Sequence, residues 1–462
     1  MKTRSKAKGK AAISPVMRGV SSYIATALRK PIPAKVAECT KHHLLDTLAA
    51  MVSGSKLLPG ARALAYVKAQ GGAREACVPG SRIVTTVVNA ALAGGMLAHA
   101  DETDDSHARS LTHPGCGIVP AALAMAEREG ASGTALLRAV CLGYDIGTRL
   151  SLALGGYAFS EAGHDTHAFG PMFGAAAAAG ALAGLSADQV RHMLSYTAQQ
   201  ASGLSNYARD TEHVEKAFIF GGMPARNGAA AATMVASGMS GIDDSFSGDR
   251  NFFYAFGPHS NPELLARSLG TTYEILNTNI KRWSVGSPIQ APLDSLYELI
   301  QKHGLKAADV QKAVVRVSHR GAHTVGNREM PDICMQHMIA VMLLDGTATF
   351  QAAHDEKRMR DPKVLAVRRR VELYGDDALQ KAMPSRQGIV ELTLRDGRNL
   401  RHHTKAVRGT SDNPMNRREV DEKSFPLLAP VLGQRRARAL IDAVWGIERI
   451  RDVRKLRALL SA

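Results

Sequence analysis

From about residue 19 to 270, apolar positions recur three or four residues apart in one segment after another. In residues 36–52, Leu44, Leu45, Leu48 and Met51 fall on one face of a helix. Comparable patterns run through 83–99, 117–128, 134–153, 169–184, 187–201 and 225–238, and no repeat of fixed period joins them. The joints are rich in Gly, Pro, Asp and Ser, as helix ends are. After Lys281 the period changes. Residues 314–318 and 369–374 alternate as strands do, and 389–394 followed by Arg-Asp-Gly-Arg reads as a strand entering a hairpin. Helices near 292–303 and 334–345 lie among them, and 422–460 turns helical again. The fold expected is mainly α, a large all-helical domain plus a smaller α/β (α+β) domain. Its divisions would be a disordered basic tail over 1–18, helical 19–275, α/β 276–410, and a C-terminal helical segment 411–462 packing back on the helical domain.

Composition refines this picture. Apolar residues make up 45% and aromatics only 5%, so Ala and Gly must fill the core. Cores of small side chains imply closely approaching helices, because wider spacing would leave voids. The net charge of +16 suggests nucleic acid until it is located: residues 1–18 hold +6 and 398–462 hold +8, leaving +2 for the rest. A nucleic-acid groove interleaves basic and aromatic residues on one surface, so no nucleic-acid partner is expected. The five cysteines are scattered without a CxxC, which fits a reducing, cytoplasmic setting. The most apolar stretch, 173–185, is too short to span a bilayer, and no membrane partner is expected.

Candidate chemistry concentrates at three helix starts. HADETDDSH at 99–107, continuing to His113 and Pro114, puts four carboxylates and three histidines within fifteen residues. Crowding of this kind shifts pKa values in both directions, although an acidic run is also the ordinary composition of a solvated loop. GHDTH at 163–167 opens an Ala-rich helix, and Lys216 precedes GGMPARNG at 221–228, which opens another. Helix N-termini carry unpaired N–H groups and a positive dipole end, which suit carboxylates and favour neutral imidazole. If the three starts converge, they form a pocket for an acid with two or three carboxylates. Ligand types for a metal occur in His99, Asp101, His107, His113, His164 and His167, but no HExxH or CxxC spacing organises them.

At these same places the chain resembles the MmgE/PrpD family. The likeness runs from HHLLDTLAAMVSG at 42–54 through HADETDDS at 99–106, His113-Pro114, GYDIGTR at 143–149, His164-Asp165-Thr166, QQASG at 199–203 and Lys216, to about residue 425. The resemblance implies a helical domain and a smaller α/β domain with the active site in the cleft between them. It also implies a homodimer that uses no metal and no organic cofactor. Residue by residue, the family's loop aspartate corresponds to Glu102, beside Asp104 and Asp105. Its threonine corresponds to Ser106, its histidines to His113 and His164, and its lysines to Lys216 and Lys281. In KRWSVGSPIQ at 281–290, Gln290 stands where the family has a histidine, and His337 stands where it has a tyrosine.

The activity so implied is a cofactor-independent lyase on a small polycarboxylic acid, foremost a dehydration of the 2-methylcitrate type. His113 and His164 would share acid–base work, with Glu102, Asp104 and Ser106 orienting. Lys216, Lys281, Thr166, Gln290 and His337 would bind substrate. Decarboxylation or epimerisation of a related acid needs the same groups, and a polycarboxylate-binding protein without turnover or a metal hydrolase are the rivals from other classes.

Overall fold

The computed structural model describes residues 12–462. The chain is mainly helical, with one four-stranded sheet and one two-stranded ribbon among the described residues. The helical segments read from the pattern are present, most starting a few residues early; the one expected from 83 starts only at Val87, because Val84–Thr85 is a short strand. Pro114–Glu129 begins at its proline and Thr166–Leu182 at its threonine, because Pro and an Asp-capped Thr suit a first turn. The tail expectation needs correcting at one end. Residues 15–18 belong to a helix, Pro15–Thr26, whose cap Ser14 accepts from the Met17 N–H at 3.2 Å and whose Val16, Met17 and Val20 are buried. Of the rest of the expected tail, residues 12–14 are described as irregular backbone and residues 1–11 lie outside the described residues.

The first apolar core centres on Thr166–Leu182, which is buried along nearly its whole length. It crosses Gly133–Ala153 where glycines face each other: a Cβ on Gly174 would sit 2.5 Å from the Gly143 carbonyl oxygen. The Ala/Gly composition thus appears as helix axes too close for any larger side chain. The C-terminal helices Arg417–Leu432 and Gln434–Trp445 contribute Leu427, Leu428, Leu440 and Ile441 to this same core.

A second core lies within residues 283–400. Its sheet runs Val371–Gly375, Val310–Val317, Gly388–Leu394, Asn399–Thr404 in order. The first pair is parallel and the others antiparallel, and the last two strands form the hairpin expected at 395–398. The helices Ser287–His303 and Met335–Asp345 pack with this sheet, where alternation buries Ala313, Val315 and Val317, and Val310 is buried ahead of an irregularity in the ladder.

Candidate active site

The loop joining Val87–Ala98 to Pro114–Glu129 is buried from Asp101 to His107, which removes the solvated-loop reading of its acidic run. Buried carboxylates need partners, and each has one. Asp105 accepts from Tyr144 Oη (2.5 Å) and the Gly115 N–H (3.0 Å) and lies 2.8 Å from His43 Nδ1. Burial pulls His43 down, but the hydrogen bonds to Asp105 and Cys39 lift its pKa to about 10. Asp101 accepts from Thr103 and lies 3.0 Å from His354 Nε2 on the α/β side.

Asp104 is shared by two imidazoles, with His113 Nδ1 3.0 Å from Oδ1 and His99 Nδ1 3.0 Å from Oδ2. Burial would raise this carboxyl, but His99, His113 and Lys281 hold it well below the usual range. An ionised carboxylate only accepts, so each facing Nδ1 must carry the proton, and on neutral His113 the Nε2 is left with its lone pair. Burial outweighs the pull of Asp104 on His113, Lys281 adds to it, and the His113 pKa falls to about 3.

Glu102 sits between two ammonium groups. Lys216 Nζ donates to its Oε1, and Lys281 Nζ reaches its Oε2 at 3.2 Å and its backbone carbonyl at 2.9 Å. Burial pushes Glu102 up, yet the two lysines hold it well below 4.5.

The imidazoles are arranged on Phe220. His167 stacks on its ring at 3.7 Å and His99 at 4.3 Å, with His113 edge-on at 5.5 Å. Phe220 reaches this place from a π-helical turn, Phe218–Gly222, that leads without a break into Met223–Ala236. A π turn inside a helix often marks a functional position. Here it packs backbone to backbone on Val87–Ala98: a Cβ on Gly221 would sit 2.1 Å from the Gly95 carbonyl oxygen, and one on Gly95 2.2 Å from that of Gly221. The Gly221-Gly222 pair is therefore a contact surface.

A cavity of about 500 Å³ opens between the two halves of the molecule. The helical side supplies Glu102, Ser106, His113, Thr166, His167 and Lys216; the α/β side supplies Ser287, Arg320 and Arg386. A second cavity of about 280 Å³ adjoins it and is lined by Lys281 and Gln290. A larger one, about 750 Å³, lies beside the Asn399–Thr404 strand and holds none of the expected site residues.

Three expected site residues stand apart from the His113–Glu102–Lys216 cluster. His164 does not line these cavities; its ring stacks on Phe159 at 4.6 Å and packs near Phe169 and Phe256, and His167, one helical turn on, takes the cavity position. Gln290 spends its amide on the local turn, donating to the carbonyls of Trp283 (2.7 Å) and Val285 (2.9 Å) and accepting from the Trp283 N–H. His337 is fully buried in the α/β core with neither ring nitrogen hydrogen-bonded, and burial lowers its pKa to about 4. Thr166 lines the cavity, but its hydroxyl is given to the Leu111 carbonyl at 2.5 Å.

The pattern also passed over His213, Phe220, Arg320 and Arg386. His213 is a buried cavity residue with positive φ (62°), its Nε2 has no hydrogen-bond partner, and burial, Lys216 and His99 depress its pKa. Donor atoms of His99, Glu102 and His213, and of His99, Asp104 and His113, come within 4.8 Å of one another, a spacing a metal ion could bridge. The ammonium groups of Lys216 and Lys281 on Glu102, and of Lys281 3.7 Å from Asp104, oppose a dication there.

A helical body joined to a small α/β unit, with a histidine–carboxylate–lysine centre in the cleft between them, defines the class of scaffold. The chain belongs to the MmgE/PrpD family: residues 18–265 match the MmgE/PrpD N-terminal domain and residues 283–447 the MmgE/PrpD C-terminal domain. It is 24% identical to cis-aconitate decarboxylase of Aspergillus terreus, over 93% of this chain and 92% of that protein. It is 25% identical to 2-methylcitrate dehydratase of Salmonella typhimurium over 75% of each. No helix of the described residues is long and apolar enough to cross a membrane.

Proposed function

We propose that the chain is a lyase acting on a small polycarboxylic acid by acid–base catalysis without a metal or organic cofactor. The observation that carries this is neutral His113, oriented by Asp104, beside the Lys216–Glu102–Lys281 group. Elimination of water from a β-hydroxy acid moves one proton from the carbon next to a carboxylate to a base and returns one to the departing hydroxyl. In this reading His113 Nε2 takes the carbon proton, His167 gives a proton to the leaving oxygen, and Ser106 orients it. Lys216, with Lys281 behind it, stabilises charge developing on the carboxylate. A dehydration of the 2-methylcitrate type is the first reading. Decarboxylation of a cis-aconitate-like acid is the second, favoured by the relative of that name that spans 93% of the chain. Epimerisation would use the same base. A homodimer in the cytoplasm, with five free cysteines suiting a reducing compartment, belongs to the same reading.

Proton NMR in deuterated water, with purified protein and a panel of 2-methylcitrate, citrate, cis-aconitate and tartrate-like acids, tests it. Loss of water, loss of carbon dioxide, or exchange alone each identifies a reaction. Silence across the panel together with ligand-induced thermal stabilisation would instead leave a binding protein.

A further inference from the structure

The cavity holds more positive charge than the acid–base centre uses. Lys216 is matched by Glu102. Arg386 is matched by nothing: its guanidinium makes no hydrogen bond or ion pair with any described residue. It is half-buried, and desolvation draws its pKa down, with Arg320 adding to the effect against Tyr157 and Glu102. Enclosed arginines elsewhere in the chain are spent: Arg149 binds Asp145 and two backbone carbonyls, and Arg457 binds Glu127 and the Glu75 carbonyl. A guanidinium whose five donors meet no protein acceptor and face a cavity is available to an acceptor that enters it.

Its position says what that acceptor is. Arg386, Ser106 and Ser287 line both the 500 Å³ and the 280 Å³ cavities and so stand at their junction. The side-chain hydroxyls of Ser106 and Ser287 make no hydrogen bond to other described residues. Arg320 lies over the Tyr157 ring at 5.0 Å, likewise without a carboxylate partner. A planar fork of donors and the free Ser287 hydroxyl on the lining shared by both cavities, with a second guanidinium lining the larger one, make a cradle for a carboxylate.

We propose that Arg386, supported by Arg320 and Ser287, binds a substrate carboxylate remote from the reacting carbon, so that the site selects tricarboxylates over dicarboxylates. This rests on the polycarboxylate reading of the cavity, with Lys216 and Lys281 serving the carboxylate next to the reacting carbon.

Isothermal titration with two unreactive probes tests it: propane-1,2,3-tricarboxylate and glutarate, against wild type, Arg386→Gln and Arg386→Lys. Wild type should bind the tricarboxylate at least about tenfold more tightly than glutarate, the worth of one charge-assisted contact. Arg386→Gln should lose about 10- to 100-fold for the tricarboxylate and leave glutarate nearly unchanged. Arg386→Lys should fall between, keeping the charge and losing the fork. Arg320→Gln gives a smaller loss of the same selectivity and decides the matter if Arg386→Gln does not fold. Unchanged tricarboxylate binding in these variants, or equal loss of both acids, overturns the proposal and leaves the lyase reading standing. A wild type that binds neither acid overturns both.

Discussion

His113 and Asp104 meet at 3.0 Å, nitrogen Nδ1 to oxygen Oδ1, in a contact closed to water on the carboxylate side. Because the same carboxylate holds His99 through its other oxygen, neither oxygen is free to release its histidine without uncovering a buried charge. Asp104→Asn puts an NH₂ group against one of the two rings and reverses that ring's tautomer. We expect kcat to fall by about 10²–10⁴ with KM little changed, measured by steady-state kinetics on the acid that turns over. A variant that keeps wild-type kcat removes Asp104 from the mechanism.

His167 and His164 are three residues apart, yet only His167 lines the cavity. His164→Phe keeps the stacking on Phe159 and should retain activity within about threefold, while His167→Ala should lose at least about 100-fold. The opposite ranking would return His164 to the role the family resemblance gives it.

Stability should fall on both sides of neutrality, for different reasons. His113 is lowered from 6.5 to about 3, so between those values only the unfolded chain takes up its proton, and stability drops as pH falls through this window. His43 is raised to about 10; its contribution is complete below 6.5 and is lost as pH rises through 10. Thermal melts from about pH 4 to pH 10 should show both slopes, and Asp105→Asn should flatten the alkaline one by removing the acceptor that holds the His43 proton. An alkaline slope that persists in that variant places its origin elsewhere.

Two ammonium groups on Glu102 work against a divalent ion. Dialysis against a strong chelator should leave turnover and melting temperature unchanged, and added zinc should inhibit rather than activate. Activity that disappears with chelator and returns with one metal would make the His99–Glu102–His213 or the His99–Asp104–His113 group the centre instead.

Much of this architecture is legible from periodicity, since the 3.6-residue pattern before Lys281 and the alternation at 314–318 and 389–394 are local properties of the chain. The carboxylate-rich loop was visible as a cluster, but its burial was not. Burial depends on His43, Tyr144 and Lys281, which arrive from 62, 39 and 179 residues away. His164 and His167 look alike in sequence; which one faces the cleft depends on the Asp165-capped helix start and on Phe220, carried in by a π turn that no periodicity signals. Gln290 and His337 enter the expected site by correspondence alone; in the structure Gln290 spends its amide on a local turn beside the smaller cavity, and His337 is buried in the second core.

Lys423, on the helix Arg417–Leu432, passes its ammonium to Asp46 and to the carbonyl of Thr103 at 2.9 Å. Asp46 is fully buried, burial raises its pKa, and Lys423 is the cation that opposes this. The loop carrying Glu102 and Asp104 is thus pinned by a residue made more than three hundred positions later. During synthesis the helices around Asp46 emerge first and must wait with an uncompensated acid among them, so the reactive centre takes its final shape only when the closing helix docks. A nascent chain stopped before that helix would hold the acid–base residues in place along the backbone and still lack a working arrangement of them.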